Sequence, residues 1–264
     1  MSSTAGRILR FQVRDILRNR WLIGYAAVLL AITEALLRLG GGGERAMVSM
    51  LNVVLLVVPV VSVVFGTLYL YGAREFIELL LAQPVGRSAM FAGLYAGLSL
   101  PLVVAFSVGV AVPFLAHSPA DSVPGVAFGM LVGTGILLTL TFTALAFLLA
   151  LRFEDRARGL GAALLLCLGF SILYDGIVLL LIIVFGDYPL ESPLLILTLL
   201  NPMDLGRVLL LTTFDAGALM GYTGAVFQRF FGTALGAAVV CLALVTWTAI
   251  PLGFGLRRFN RRDF

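Results

Sequence analysis

Six long apolar stretches dominate this sequence, and each is long enough to cross the hydrocarbon core of a membrane. They run at about residues 21–39, 51–71, 90–116, 124–151, 160–186 and 234–256. Crossing that core takes roughly 20 apolar residues as a helix, and an isolated strand would leave its backbone polar groups unpaired in lipid. We therefore predict an all-α integral membrane protein with six transmembrane helices.

The composition agrees with this prediction and argues against a nucleic-acid partner. The chain is 61% hydrophobic and 12% charged, which is about half the charged fraction of a soluble domain. All 18 basic residues are arginines, and they fall in short clusters between the apolar stretches. Such clusters suit the lipid headgroups of a bilayer. No connection has the composition of a soluble domain, so we expect residues 1–264 to form a single transmembrane domain.

The arginines also predict how the chain is oriented. With the N-terminus inside, fourteen of them fall in cytoplasmic segments and four in outer segments. Cytoplasmic loops carry the excess of basic residues, so we expect both termini and residues 72–89 in the cytoplasm, with 187–233 outside. We also expect the first span to be retained, because no small-residue cleavage site follows it.

The residues of several well-known enzyme sites are missing. A P-loop ends in a Lys that binds nucleotide phosphates, and this chain has no Lys. The only histidine is His117, which excludes a bis-histidine haem, and the metalloprotease pattern HExxH is absent. We therefore predict no catalytic and no cofactor-binding residues in this chain.

The first residues have the pattern of a helix that lies along the membrane surface. Arg7, Arg10, Arg14 and Arg18 repeat at helical spacing, with apolar residues mostly on the opposite side. This predicts an amphipathic helix at about 5–20 in the cytoplasmic headgroup layer. A solvated basic tail is the alternative.

A short charged segment at 73–82 lies between the second and third spans. It is too short to cross the membrane, and Pro84 ends it because the residue before a proline disfavours helix. A helix here would place Arg74 and Glu78 four residues apart. We predict either a protruding helix that docks into a cytoplasmic partner or a turn that rests at the interface. The candidate docking residues are Arg74, Glu75, Phe76, Glu78 and Leu79.

The stretch "EFIELLLAQPVGR" resembles the cytoplasmic coupling-helix region of ABC-2-type permeases. The rest of the chain fits that resemblance, with "RDILRNRW" before six spans, a long outer loop and the basic tail "RRFNRRDF". The segments "LRNRWL", "LLLAQPVGR" and "LNPMDLGRVLLL" resemble the NosY-like permeases of nitrous-oxide-reductase maturation, a copper-related system.

The resemblance implies partners and a location. It implies a homodimer in the bacterial cytoplasmic (inner) membrane that binds two copies of a separate ABC ATPase, which would hold ATP-Mg. It also implies an extracytoplasmic partner, a copper-related right-handed β-helix protein. The function expected is that of a permease subunit that couples ATP hydrolysis to transport or to conformational signalling. An ATP-independent membrane scaffold or assembly factor is the alternative.

Asp175 is a carboxylate within the fifth span, where a charge costs about 2.5–3.5 kcal/mol to insert. No basic residue in a neighbouring span is an evident partner. It is either a protonated or hydrogen-bonded group held by packing, or a group that lines a dimer interface or pathway.

Two further groups of outer residues are candidates for contacts. Thioethers suit Cu(I), although methionine is also common packing material. The candidate metal ligands are Met47, Met50, His117, Met203 and Met220. A helix is predicted from about 202 to 211, because Asn201 is a good N-cap and Pro202 suits the first helical position. This helix and the apolar segment that follows are either re-entrant or a platform for an outer protein. The platform residues would be Asn201, Pro202, Asp204 and Arg207.

Overall fold

The computed structural model describes residues 20–39, 43–81, 86–117, 125–186, 191–213 and 234–261. These residues form helices, with no strand among them. In chain order the elements are α1 (Arg20–Leu39), α2 (Gly43–Gly72), α3 (Arg74–Leu81), α4 (Arg87–His117), α5 (Gly125–Arg152), α6 (Arg156–Leu168), a π-helical turn (Gly169–Leu173), α7 (Tyr174–Phe185), α8 (Glu191–Leu199), α9 (Pro202–Thr213) and α10 (Ala234–Arg261). The predicted surface helix at 5–20 and the apolar segment after Thr213 lie outside the described residues.

Within the described part, six helices are long and apolar enough to cross a membrane, which confirms the predicted fold class. They are α1, α2, α4, α5, the continuous helix α6–π–α7 (span five) and α10. The largest extensions beyond the predicted spans are at α2, which begins at Gly43, and at α10, which continues to Arg261. An apolar run measures only the hydrocarbon layer, and a helix continues into the headgroup layers wherever polar side chains can reach water.

The helix α5 lies at the centre of the bundle. It packs against α2, α4, α9 and α10, while α1 packs along the outside of α4. Three of the largest fully buried side chains, Phe106, Phe142 and Phe147, lie at these contacts. The helices approach closely where glycine replaces a side chain. A Cβ on Gly66 of α2 would come within 2.5 Å of the Ala146 Cβ on α5.

Hydrogen bonds between side chains and backbone fix α5 against its neighbours. The Tyr95 hydroxyl of α4 donates to the Leu140 carbonyl at 2.9 Å. Thr141 and Thr248 share a hydrogen bond of 2.8 Å between α5 and α10. In a hydrocarbon environment such bonds hold helices together where no hydrophobic force distinguishes protein from lipid.

Different loops meet at the two ends of the bundle. At one end, Arg87 donates to the Asn260 carbonyl at 3.1 Å and Arg258 donates to the Leu151 carbonyl at 3.1 Å. At the other end, His117 lies 3.2 Å from Glu34. Among the described residues, α3, the α5–α6 loop and the end of α10, which the arginine distribution assigns to the cytoplasm, therefore share one end of the structure.

The helices α8 and α9 form a broken pair, bent by 111° around residues 200–201. The bend lies against the middle of the membrane-spanning helices. The Asn201 side chain donates to the Phe170 carbonyl at 2.9 Å, and the Trp247 indole donates to the Leu199 carbonyl at 3.0 Å. Phe170 is the fifteenth of the 30 residues of span five. The bend of the α8–α9 pair thus lies at about the mid-length of span five.

Candidate functional site

The short helix α3 presents one polar and one apolar side. Ile77 is fully buried against the bundle, whereas Glu75, Glu78 and Leu79 are exposed. Phe76 is half-buried. Three of the five candidate docking residues therefore lie on an accessible surface, where neither glutamate pairs with another described residue.

The Arg74 side chain has other partners than Glu78, which lies four residues further along the helix. It does not pair with Glu78; its Nη2 donates to the Phe153 carbonyl at 3.3 Å, and its guanidinium lies 4.6 Å from the centre of the Tyr71 ring. The Tyr71 hydroxyl donates to the same carbonyl at 3.0 Å. Arg74 therefore fixes α3 to the loop between α5 and span five, and it is a positioning residue in this chain.

The start of span five is fixed to the same corner. Asp155 caps α6 by accepting from the Ala157 N–H at 2.7 Å. One turn further, Gly159 lies directly against the Tyr71 side chain, so that a Cβ there would overlap the phenol. Tyr71 and Phe153 therefore connect α3 to the base of span five.

A second polar site lies at the bend of the α8–α9 pair, and Asn201 is its centre. Asn201 is completely buried. Its Oδ1 accepts from the Met203 N–H at 3.0 Å, which confirms the predicted N-cap. Its Nδ2 donates to the Phe170 carbonyl and to Asp204 Oδ2, both at 2.9 Å. One amide side chain thus joins span five to the first turn of α9.

The Phe170 carbonyl that accepts this bond lies in the π-helical turn of span five. A π-helical turn uses i→i+5 bonds in place of i→i+4 bonds, and such turns are frequent at functional sites. One turn later, the Tyr174 hydroxyl donates to the Leu197 carbonyl of α8 at 2.6 Å. The irregular part of span five is therefore the part that holds the broken helix pair.

Asp175 does have a basic partner. Arg207 of α9 donates from Nη1 to Asp175 Oδ2 at 2.9 Å and to Asp204 Oδ1 at 3.2 Å. The sequence showed no basic partner for Asp175 in a neighbouring span, and the partner lies instead on α9, between the fifth and sixth spans. The site contains two carboxylates and one guanidinium, and about a third of the Asp175 and Arg207 side chains is exposed.

A cavity of about 240 Å³ adjoins this polar junction, which we define as Asp175, Asn201, Asp204 and Arg207. Three residues of the polar junction, Asp175, Asp204 and Arg207, line the cavity. Apolar residues of α7 and α8, such as Val178 and Leu194, complete the lining. Asp175 is the twentieth of the 30 residues of span five, so the cavity lies between the middle of that span and its Phe185 end.

The placement of the predicted platform residues differs from the sequence interpretation. Asn201 and Pro202 are buried, and only 14% of the Asp204 side chain is exposed. These residues face the interior because the bend of the α8–α9 pair descends into the bundle. Asn201, Pro202 and Asp204 hold the pair in place, whereas about a third of the Arg207 side chain is exposed.

The candidate metal ligands are also placed differently from the prediction. Met47 and Met50 belong to α2 and not to a loop, and they are buried in the apolar core, as is Met203. Met50 accepts from the Thr33 hydroxyl at 3.7 Å. His117 is paired with Glu34 at 3.2 Å. Packing accounts for the three methionines, and Met220 lies outside the described residues.

Sequence comparisons agree with the resemblance seen in the motifs. Residues 7–264 match the ABC-2 family transporter protein family. The chain is 31% identical to the probable ABC transporter permease protein NosY of Pseudomonas aeruginosa over 273 positions, which cover 97% of both chains. It is 29% identical to the protein of the same name from Stutzerimonas stutzeri over 275 positions, again with 97% of both chains covered.

The polar junction predicts the effect of Asn201→Asp. Aspartate has nearly the same shape and keeps the cap oxygen, but it loses both donated hydrogen bonds and places a carboxylate beside Asp204. We expect a loss of stability of about 1–3 kcal/mol, measured by thermal unfolding in mild detergent. Asn260→Asp makes the same change at an exposed position and should leave stability unchanged. Equal stability of the two variants would contradict the role of Asn201.

Proposed function

This chain belongs to the ABC-2 family of transporter proteins, and on that premise we propose that it is the permease subunit through which a separate ATPase moves the membrane helices. The observation that carries the proposal is the geometry of α3. It exposes Glu75, Glu78 and Leu79 at one end of the bundle, while Ile77 and Arg74 fix it from behind. A short helix that is fixed on one side and exposed on the other is suited to dock into a partner.

The contacts behind α3 support transmission of movement. Arg74 and Tyr71 share the Phe153 carbonyl, and Tyr71 also packs against Gly159 at the start of span five. Fifteen residues further along the chain, Tyr174 contacts α8. Span five thus connects the α3 end of the bundle to the α8–α9 pair through one continuous helix. This supports a mechanism in which ATP binding and hydrolysis in the partner tilt or rotate span five.

We further propose that span five lies at the interface of a homodimer or beside a pathway. No residue from Gly169 to Phe185 is buried within one chain. That surface carries Asp175 and Arg207, each about one-third exposed. Charged groups exposed to lipid chains are expensive, and intramembrane charges generally face the bundle interior or a water-filled cavity. A second copy of the chain would remove this surface from lipid.

The physiological context is proposed from the similarity to the two NosY proteins and from the motifs shared with that subgroup. We propose a role in maturation of the copper centres of nitrous oxide reductase, in the bacterial cytoplasmic membrane, with both termini in the cytoplasm. Two copies of an ABC ATPase would bind ATP-Mg on the α3 side. A copper-related β-helix protein would bind on the opposite side. An ATP-independent scaffold or assembly factor is the alternative.

The docking role of α3 predicts the effect of Glu75→Arg together with Glu78→Arg. Both glutamates are exposed, so the permease should insert and fold. Removing a charge from a desolvated interface pair costs about 2–5 kcal/mol. The ATPase should therefore be lost on purification in mild detergent, or should remain bound with hydrolysis no longer linked to reductase maturation.

Arg156→Glu is the matched control, since Arg156 is exposed at the same end of the bundle but lies outside α3. It should retain the ATPase. If the double variant binds the ATPase and supports maturation as well as the wild type does, α3 is only an interfacial turn. If no ATPase co-purifies with the wild-type chain from its native host, the scaffold alternative holds.

Asp175→Asn tests whether the polar junction is needed for reductase maturation. The amide is similar in size to the carboxylate, and Arg207 keeps its ion pair with Asp204. The dimer should therefore persist on size-exclusion chromatography. We expect less mature reductase per cell, because the amide binds Arg207 less strongly than a carboxylate does. Glu34→Gln, which weakens an ion pair at the outer end, should have no such effect. Full activity of both Asp175→Asn and Asp175→Leu would leave Asp175 a packing role only.

The orientation is tested by cysteine labelling in a Cys167→Ala/Cys241→Ala background. Leu39 and Gly86 are both exposed, at the end of α1 and just before α4. In intact cells, a membrane-impermeant maleimide should label Leu39→Cys and should not label Gly86→Cys. The reverse labelling pattern would overturn the proposed orientation.

A further inference from the structure

A basic groove lies between the ends of α5 and α10, at the same end of the bundle as α3. It has a volume of about 1020 Å³. Its charged lining consists of Arg152, Arg257, Arg258, Arg261 and Glu154. The docking role proposed for α3 uses none of these five residues, and none of them belongs to the polar junction.

The charges of this groove are unbalanced. Four guanidinium groups face one carboxylate, and no member of the set forms an ion pair with another described residue. Arg258 is oriented by the hydrogen bond from its Nε to the Leu151 carbonyl at 3.1 Å. That bond uses one of its five N–H groups. Four like charges that share one groove repel each other, and a bound anion would relieve that repulsion.

Two apolar residues of the groove, Leu148 and Phe254, lie one helical turn deeper than arginines of the same helix. Leu148 precedes Arg152 by four residues on α5, and Phe254 precedes Arg258 by four residues on α10. Four residues of helix correspond to about 6 Å. Phe254 is 56% exposed, although it is a large aromatic side chain. The groove therefore has an anion-binding rim and an apolar floor, in the order that a phospholipid presents its phosphate and its acyl chains.

We propose that this groove is a binding site for the phosphate of an anionic phospholipid. Arginine matches phosphate oxygens with two parallel hydrogen bonds. Basic pockets between transmembrane helices are known to bind lipid headgroups of this kind. A free phosphate would satisfy the rim but leave the floor uncovered. The occupant is accordingly a lipid, with its acyl chains against Leu148 and Phe254.

The test is lipid retention by the purified wild-type complex, measured by native mass spectrometry after incubation with phosphatidylglycerol or phosphatidylcholine. Phosphatidylglycerol should be retained and phosphatidylcholine should not. Each arginine near a membrane surface contributes about a fivefold gain in affinity. The Arg257→Gln/Arg261→Gln variant should therefore bind phosphatidylglycerol about 25-fold more weakly. Equal retention of the two lipids by the wild type would overturn the proposal.

The matched control is Arg156→Gln/Arg158→Gln, which removes the same charge at the same end outside the groove. It should bind phosphatidylglycerol as the wild type does, and an equal loss in the two variants would mean that the lipid responds only to net charge. If the groove variant is poorly folded, Arg257→Lys/Arg261→Lys keeps the charge and should give intermediate binding; binding at the wild-type level would overturn the proposed arginine–phosphate geometry.

Two further measurements separate the other sources of an anion. Inorganic phosphate at millimolar concentration should not displace phosphatidylglycerol; full displacement would identify free phosphate as the ligand. Loss of the ATPase from the Arg257→Gln/Arg261→Gln variant, with phosphatidylglycerol binding unchanged, would identify an acidic protein surface. Either result would overturn the lipid assignment.

Discussion

Every backbone N–H and C=O inside a membrane needs a partner within the protein, because hydrocarbon offers none. An unbroken helix meets this requirement by itself, but the bend between α8 and α9 does not. Side chains from three directions satisfy it. Tyr174 and Trp247 donate to the last carbonyls of α8, at Leu197 and Leu199, and Asn201 accepts from the start of α9. The side chains of Tyr174, Trp247 and Asn201 therefore add to the backbone bonds of the bend and help to hold a broken helix pair at this depth.

The same requirement explains how a charged group is held beside the pair. Arg207 lies one turn beyond Asp204 and bonds to it and to Asp175. Asn201 then bonds to the second oxygen of Asp204. Each residue of the polar junction thus forms a hydrogen bond or ion pair with another residue of the junction. A change in the position of span five would have to rearrange these bonds together. A partly satisfied buried network is unfavourable, so the side chains of the junction are expected to move as a unit.

The sequence predicted the spans well, because a length of apolar residues is a local property. It also predicted the cap at Asn201 and the existence of α3, since both depend on neighbouring residues. It did not predict the Arg74–Phe153 bond or the Arg207–Asp175 pair, which join residues 79 and 32 positions apart. A signal for the second pair was present, because a carboxylate in a span requires a cation. Met47 and Met50 were misplaced because α2 extends beyond the apolar run that revealed it.

The order of synthesis gives the Trp247 bond a consequence for biogenesis. Leu199 and Trp247 are 48 residues apart, and translation adds about 5–20 residues each second. For about 2–10 s the end of α8 therefore exists without the indole that later binds its carbonyl. During that interval the nascent α8–α9 pair cannot take its final position at low cost, and the last span completes the site when it enters the membrane. The α8–α9 pair therefore gains this hydrogen bond only once α10 has been made.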